Sequence, residues 1–181
     1  MYSFTPCAAG CGRPVITGAT TCAFHCANPI AEAERLTSLI SSTAIVKDVN
    51  AAGLNFKNLD FSGRRFFGCS FSQASFTLCL FTKTFFRLCF FDFAELNSCD
   101  FSKTDTQFCS FAGSRIDDCT FEGSELVHLN FNGANIRETT FNDSNLYNSR
   151  FIYSKLDYVD FIDCNIKKVF FVKSYQERVS F

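Results

Sequence analysis

The stretch "CAAGCGRPVITGATTCAFHCAN" places Cys7, Cys11, Cys22, His25 and Cys26 within twenty residues. Two close groups of soft ligands, separated by a ten-residue loop containing Gly and Pro, suit a tetrahedral Zn²⁺ site, in which the chain must double back to close around one ion. Cys7, Cys11 and Cys22 are the expected ligands, with either His25 or Cys26 as the fourth. A pair of disulfides and a metal-free arm also fit the spacing. Four protein ligands would leave no place for water, so the expected zinc is structural rather than catalytic.

The other seven cysteines (Cys69, Cys79, Cys89, Cys99, Cys109, Cys119 and Cys164) follow a different rule. In "DFSGRRFFGCSFSQASFTLCLF", Phe recurs at 61, 66, 71, 76 and 81, and the step of five continues with Phe, Leu or Ile to Phe171, Thr106 being the one polar centre. Each of these cysteines lies two residues before such a centre, a position held elsewhere mostly by Ala, Ser or Thr; Arg64 and Leu129 depart from this. A five-residue step smears around a helix at 3.6 residues per turn, and in a flat strand an odd step alternates faces. One large and one small inward residue in every five suits a chain that turns a corner each time and stacks its coils as a solenoid. Gly53, Gly63, Gly68, Gly113, Gly123 and Gly133 all lie two after a centre, where such a corner needs positive φ. The dense phenylalanine is therefore a core, and the cysteines between are buried fillers.

The segments "ANIRE", "SNLYN", "CDFSK" and "LDFSG" resemble the repeat of the pentapeptide-repeat family. The resemblance spans 44–174 and implies an all-β fold, a right-handed quadrilateral β-helix of about six coils at four repeats per coil. Ahead of it, 1–27 is similar to the short Cys/His zinc knuckles found at the ends of other proteins. "NPIAEAERLTSLISS" reads as a helix within 28–43, with Asn28 as N-cap and Pro29 in the first turn. It is expected to cap the first coil, and residues 175–181 to cap the last.

Function is then a matter of what faces outward. Leu78, Leu80, Phe85, Leu88, Phe90 and Phe93 hold neither inward position, so an apolar contact patch is expected between residues 78 and 93 unless the N-terminal segment folds over it. Tyr147, Tyr153, Tyr158 and Phe170 also point outward near the far end. Members of the resembled family often dimerise through the final coil, which with these aromatics implies a homodimer. Some members mimic DNA and bind DNA gyrase, an alternative here. Against it, the most acidic side, with Asp60, Asp100, Glu122, Asp143, Asp160 and Asp163, has about one acid per ~4.8 Å rung, sparse beside duplex DNA at one charge per ~1.7 Å. A secreted effector or targeting module is a third reading. No nucleotide-binding or hydrolase motif is present, His128 falls at an outward corner as a solvated imidazole, and no catalysis is expected. A net charge of −1 argues against direct nucleic-acid binding. With neither a membrane-length apolar run nor a signal-peptide pattern, a cytoplasmic protein-protein interaction scaffold is expected.

Overall fold

The computed structural model describes residues 5–181, so the first four residues of the expected 1–27 segment lie outside the described residues. One helix, α1 (Pro29–Ser41), precedes twelve strands. Asn28 caps it as expected, its side-chain oxygen accepting the Ala31 N–H at 3.1 Å. Ala33, Leu36 and Ile40 recur along one face of α1, and all three join the core with Val46, Leu54 and Phe56. The helix thus closes the start of the stack, together with Ile16 from the preceding loop.

The strands are β1 (Ile45–Lys47), β2 (Asn55–Lys57), β3 (Arg65–Phe67), β4 (Ser75–Thr77), β5 (Phe85–Arg87), β6 (Glu95–Asn97), β7 (Asp105–Gln107), β8 (Arg115–Asp117), β9 (Glu125–Val127), β10 (Asn135–Thr140), β11 (Lys155–Asp160) and β12 (Tyr175–Ser180). Pairing is parallel between residues twenty apart: Val46 opposite Phe66, Phe66 opposite Phe86, Phe56 opposite Phe76. One sheet runs β1-β3-β5-β7-β9 and another β2-β4-β6-β8-β10-β11-β12. The two faces between them are laddered by single bridges, such as Ser70 to Phe90 to Ser110 and Asp60 to Leu80 to Asp100. Four ladders at a twenty-residue repeat make a right-handed quadrilateral β-helix of about seven coils, one more than the sequence suggested.

Inside, the centre residues stack directly over one another. Phe91 and Phe111 lie 4.7 Å apart at 2° between planes, and neighbouring faces meet edge-on, as Phe111 does Phe121 at 88°. Burying each ring is worth about 1.5–3 kcal/mol, and offset or edge-on aromatic pairing adds about 0.5–1.5 kcal/mol.

The small inward position does more than fill space. The N–H of Thr104 donates to the Ser124 hydroxyl twenty residues on at 3.0 Å, and the Ser124 hydroxyl donates to the Phe101 carbonyl at 2.9 Å. Cysteine repeats the pattern with longer bonds: the Cys99 N–H meets the Cys119 sulfur at 3.4 Å, and the Cys99 thiol the Phe76 carbonyl at 3.5 Å. A buried N–H that misses the strand ladder is costly, which explains Ser, Thr and Cys here beyond their size.

The glycines two after a centre have positive φ as expected, and so does every other residue at that corner position from Asp48 to Arg178, including Leu78, Phe93, Phe108, Tyr153 and Tyr158 at φ 53° to 57°. A left-handed residue bearing a Cβ costs about 1–2 kcal/mol, and the stacked coils on either side hold these residues there. Residues 175–181, expected to cap the last coil, instead hold β12, which continues the β11 ladder with Val159 opposite Val179. Ile166, expected inside, is 40% exposed, and Phe181 is 58% exposed.

Candidate metal centre and interaction faces

The knuckle is built from backbone bonds that fold the ligand loop back upon itself. The Cys7 N–H donates to the Arg13 carbonyl at 2.9 Å, Pro6 bridges Pro14 antiparallel, and the Cys26 N–H closes a helical turn on the Cys22 carbonyl at 2.9 Å. Gly10 and Gly12, at φ 73° and 75°, let the chain reverse around Cys11. This brings the ligand atoms of Cys7, Cys11, Cys22 and His25 within 4.8 Å of one another. The Cys11 and Cys22 sulfurs are 3.7 Å apart, and His25 Nδ1 lies 3.5 Å from the Cys22 sulfur and 3.7 Å from that of Cys7. Tetrahedral zinc, with Zn–S near 2.3 Å and Zn–N near 2.0–2.1 Å, requires S···S of about 3.8 Å and S···N of about 3.5 Å. The donor set fits that ion.

Between the alternatives for the fourth position, the geometry selects His25. Cys26 turns its thiol to the Ala23 carbonyl at 3.5 Å and packs against the core instead. All the cysteines are free thiols in this structure. The backbone N–H of Arg13 draws the Cys11 thiol down to about 6, and that of Cys22 lowers Cys7. Burial raises Cys22, and the bond to Cys7 raises His25.

The knuckle is also locked to the first coil. The Asn50 N–H donates to the Thr17 hydroxyl at 2.7 Å, its side-chain amide to the Val15 carbonyl at 2.7 Å, and the Thr17 N–H to the Asn50 carbonyl at 3.0 Å. Gly53 is needed beneath it, because a Cβ there would lie 3.1 Å from Ala23 and 3.2 Å from the Phe24 ring. Arg35 of α1 bonds both Glu32 and the Thr17 carbonyl, joining helix to loop.

Of the outward apolar residues of 78–93, Phe85 is half-buried and the others are exposed, and together they are not one patch. Leu80 lies on the Asp60–Asp100 ladder, Phe85 on β5, and Phe90 on the Ser70–Ser110 ladder, while Leu78, Leu88 and Phe93 occupy corners between ladders. Counting by fives moves one face around the prism each time, so these side chains form a girdle around a single coil. Phe93 is 65% exposed and lies over Gly113, where a Cβ would come within 2.6 Å of its ring. Near the far end Tyr153, Tyr158 and Phe170 are exposed and Tyr147 is half-buried. Their outer partners are cations from the next coil. Lys173 bonds the Tyr153 hydroxyl at 2.9 Å, Arg178 that of Tyr158 at 2.8 Å, and Lys168 sits 5.4 Å from the Tyr147 ring. His128, expected as a solvated imidazole, is stacked 4.9 Å from the Phe108 ring and bonded to the Asn148 amide at 2.7 Å. The residues before centres serve as corner acceptors, Asp60 and Asp100 each receiving an N–H two residues on at 2.8 Å. A shallow acidic groove of about 480 Å³ runs along one corner past Asp100, Asp118, Glu138 and Asp160.

Comparison with known proteins places this architecture. Residues 114–181 match the family profile described as "Pentapeptide repeat region". The solenoid has the fold of a pentapeptide-repeat β-helix. Among solved structures, the chain is similar to QnrB1, a plasmid-mediated fluoroquinolone resistance protein, at 18% identity over 73% of this chain and 89% of that one, with a TM-score of 0.36. It is similar to HetL of Nostoc sp. strain PCC 7120, a protein involved in heterocyst differentiation regulation, at 10% identity over 78% and 93%, TM-score 0.33. Rfr23 of Cyanothece 51142 aligns at 11% identity over 82% and 99%, TM-score 0.30. No curated protein matches the sequence. No helix among the described residues is long and apolar enough to cross a membrane.

Proposed function

We propose that the protein is a non-catalytic interaction scaffold whose β-helix presents its outward faces to a protein partner, with Zn²⁺ bound by Cys7, Cys11, Cys22 and His25. The supporting observation is the display of Leu78, Leu80, Leu88, Phe90 and Phe93 to solvent around a core already filled by stacked rings. Exposed apolar groups held on a rigid frame bind at a reduced ordering cost. The metal would act structurally, pinning the loop that Asn50 and Thr17 join to the first coil. Affinity capture with intact protein and with a C7S/C22S variant, alongside metal analysis of both, tests the two halves of this reading. One bound zinc and a reproducible partner support it; a metal-free intact protein removes the zinc, and no retained partner removes the scaffold.

A homodimer through the last coil is part of the same proposal. Ile166 and Phe181 are exposed on the coil of β12, and a second copy meeting that coil would bury them. Sedimentation at tens of micromolar should return twice the chain mass; a monomer at that concentration discards the dimer. We place the protein in the cytoplasm, where its free thiols would remain reduced.

A further inference from the structure

On the β1-β3-β5-β7-β9 face, β3 and β5 set Arg65, Phe67, Phe85 and Arg87 in a two-by-two square, Arg65 opposite Phe85 and Phe67 opposite Arg87. The Arg65 guanidinium lies 5.0 Å from the Phe85 ring centre and 5.5 Å from that of Phe67, and the two rings are 5.3 Å apart. Arg87 extends the pattern, 5.8 Å from the Phe108 ring on the next coil. Both arginines are exposed and the two rings of the square half-buried. Ion pairs among the described residues engage Arg35, Arg115, Arg137 and Arg178, whereas Arg65 and Arg87 rest on rings. Lys47 is registered against Phe67 on the side towards the N-terminus. Asp105, registered against Phe85 on the other side, receives the Gln107 amide at 2.8 Å.

We propose that this square docks an extended segment of a protein partner carrying carboxylates at alternate positions. The inference rests on the scaffold reading and names the partner's chemistry. A guanidinium stacked on a ring is already ordered and weakly hydrated, and its fork remains free to take a carboxylate with two parallel bonds. Strands rise ~3.3 Å per residue and lie ~4.8 Å apart, so the diagonal from Arg65 to Arg87 spans about 8 Å, near the ~7 Å between alternate side chains of an extended peptide. The rings between supply an apolar floor for the residue that separates two acids. Arginine beside aromatic rings also suits single-stranded nucleic acid, but the net charge of −1 and the acidic groove on another corner favour protein.

Fluorescence anisotropy at low salt tests this with a labelled, end-blocked decapeptide alternating Glu and Val, a Lys-Val counterpart and a labelled dT12 oligonucleotide. The Glu-Val peptide should bind at least tenfold more tightly than either control. R65Q/R87Q should lose at least tenfold, and R65K/R87K less, since lysine keeps charge without the fork. Circular dichroism should show both variants folded, as the changed groups point outward. Equal binding of the two peptides, tighter binding of dT12, or no response to R65Q/R87Q would overturn the proposal. Capture separates it from the scaffold reading: a partner retained equally by wild type and R65Q/R87Q keeps the scaffold and removes this surface. Peptide binding by a protein that retains no partner does the reverse.

Discussion

The first coil and the coil of β12 differ in what covers them. α1 and Ile16 bury the first coil, and the Cys/His loop is bonded to Asn50. Around β12, the last strand of the described residues, Ile166 and Phe181 are exposed. Each coil of a repeat stack is held by its neighbours, so a coil covered on both sides is held more firmly than one covered on a single side.

The largest expected effect breaks this contrast along the axis. Phe111 is stacked on Phe91 below and Phe131 above, at 4.7 and 5.0 Å, whereas the exposed Phe181 rests on Phe161 at 5.4 Å. Phe111→Ala should cost about 3–5 kcal/mol, and Phe181→Ala about 1 kcal/mol, a fraction of a full ring's burial; urea unfolding of both variants measures the difference. If Phe181→Ala were as costly as Phe111→Ala in a monomer, the coil of β12 would be as firmly held as the rest. Metal removal comes next and addresses the first coil. With free zinc a hundredfold above its dissociation constant, stripping the ion should remove about 2.7 kcal/mol. The amides of Asn50, Ala51 and Gly53 should then lose hydrogen-exchange protection while that of Phe121 keeps it. Uniform loss would mean that the knuckle controls the whole stack, and no loss that it is only an appendage.

How much of this the sequence disclosed follows from how local each feature is. Inward residues such as Phe61, Phe91 and Phe151 were legible because a core position constrains residue type at every repeat. Cys7, Cys11 and Cys22 were legible because ligands on one ion must lie close along a folded-back loop. The choice of His25 over Cys26 was not, since it depends on a single helical turn that points the Cys26 thiol to the Ala23 carbonyl. The girdle of Leu78, Leu80, Phe90 and Phe93 is not legible as such, because nearness in sequence is not nearness in space when corner turns carry successive residues to different faces. Glycine was a partial signal for the corners, because stacking neighbours impose the same left-handed turn on Phe93 or Tyr158. The exposure around β12 had one trace in the sequence: Gln176 stands at a centre position, where the ladder sets it opposite Leu156.

The smallest expected effect concerns a second asymmetry between the halves, in what fills the small inward position. Residues 69–119 use mainly cysteine, in columns 69-89-109 and 79-99-119, while Ser124, Ser144, Ser149 and Ser154 fill it further on. The neighbouring thiols Cys89, Cys99 and Cys119 raise Cys69, Cys79 and Cys99 respectively, with burial adding to each, and Cys99 is pushed up to about 12. Burial leads in raising Cys89. Below pH 9 these thiols are protonated in both folded and unfolded chains, so their contribution is fully present. Above it the unfolded chain releases protons that the folded chain retains, and stability falls by about 1.4 kcal/mol per thiol per pH unit until the folded value is reached. The loss should therefore begin near pH 9, the reference value from which each thiol is raised, and continue towards pH 12. Serine has no proton to lose in this range, so C79S/C99S should flatten the slope measured by urea unfolding between pH 8 and 11. Hydrogen exchange at pH 10 should find the early coils loosened before those around Ser144 and Ser149. An unchanged slope in C79S/C99S would mean that alkaline loss originates elsewhere, and that the choice between sulfur and oxygen makes no difference to how the two halves hold together.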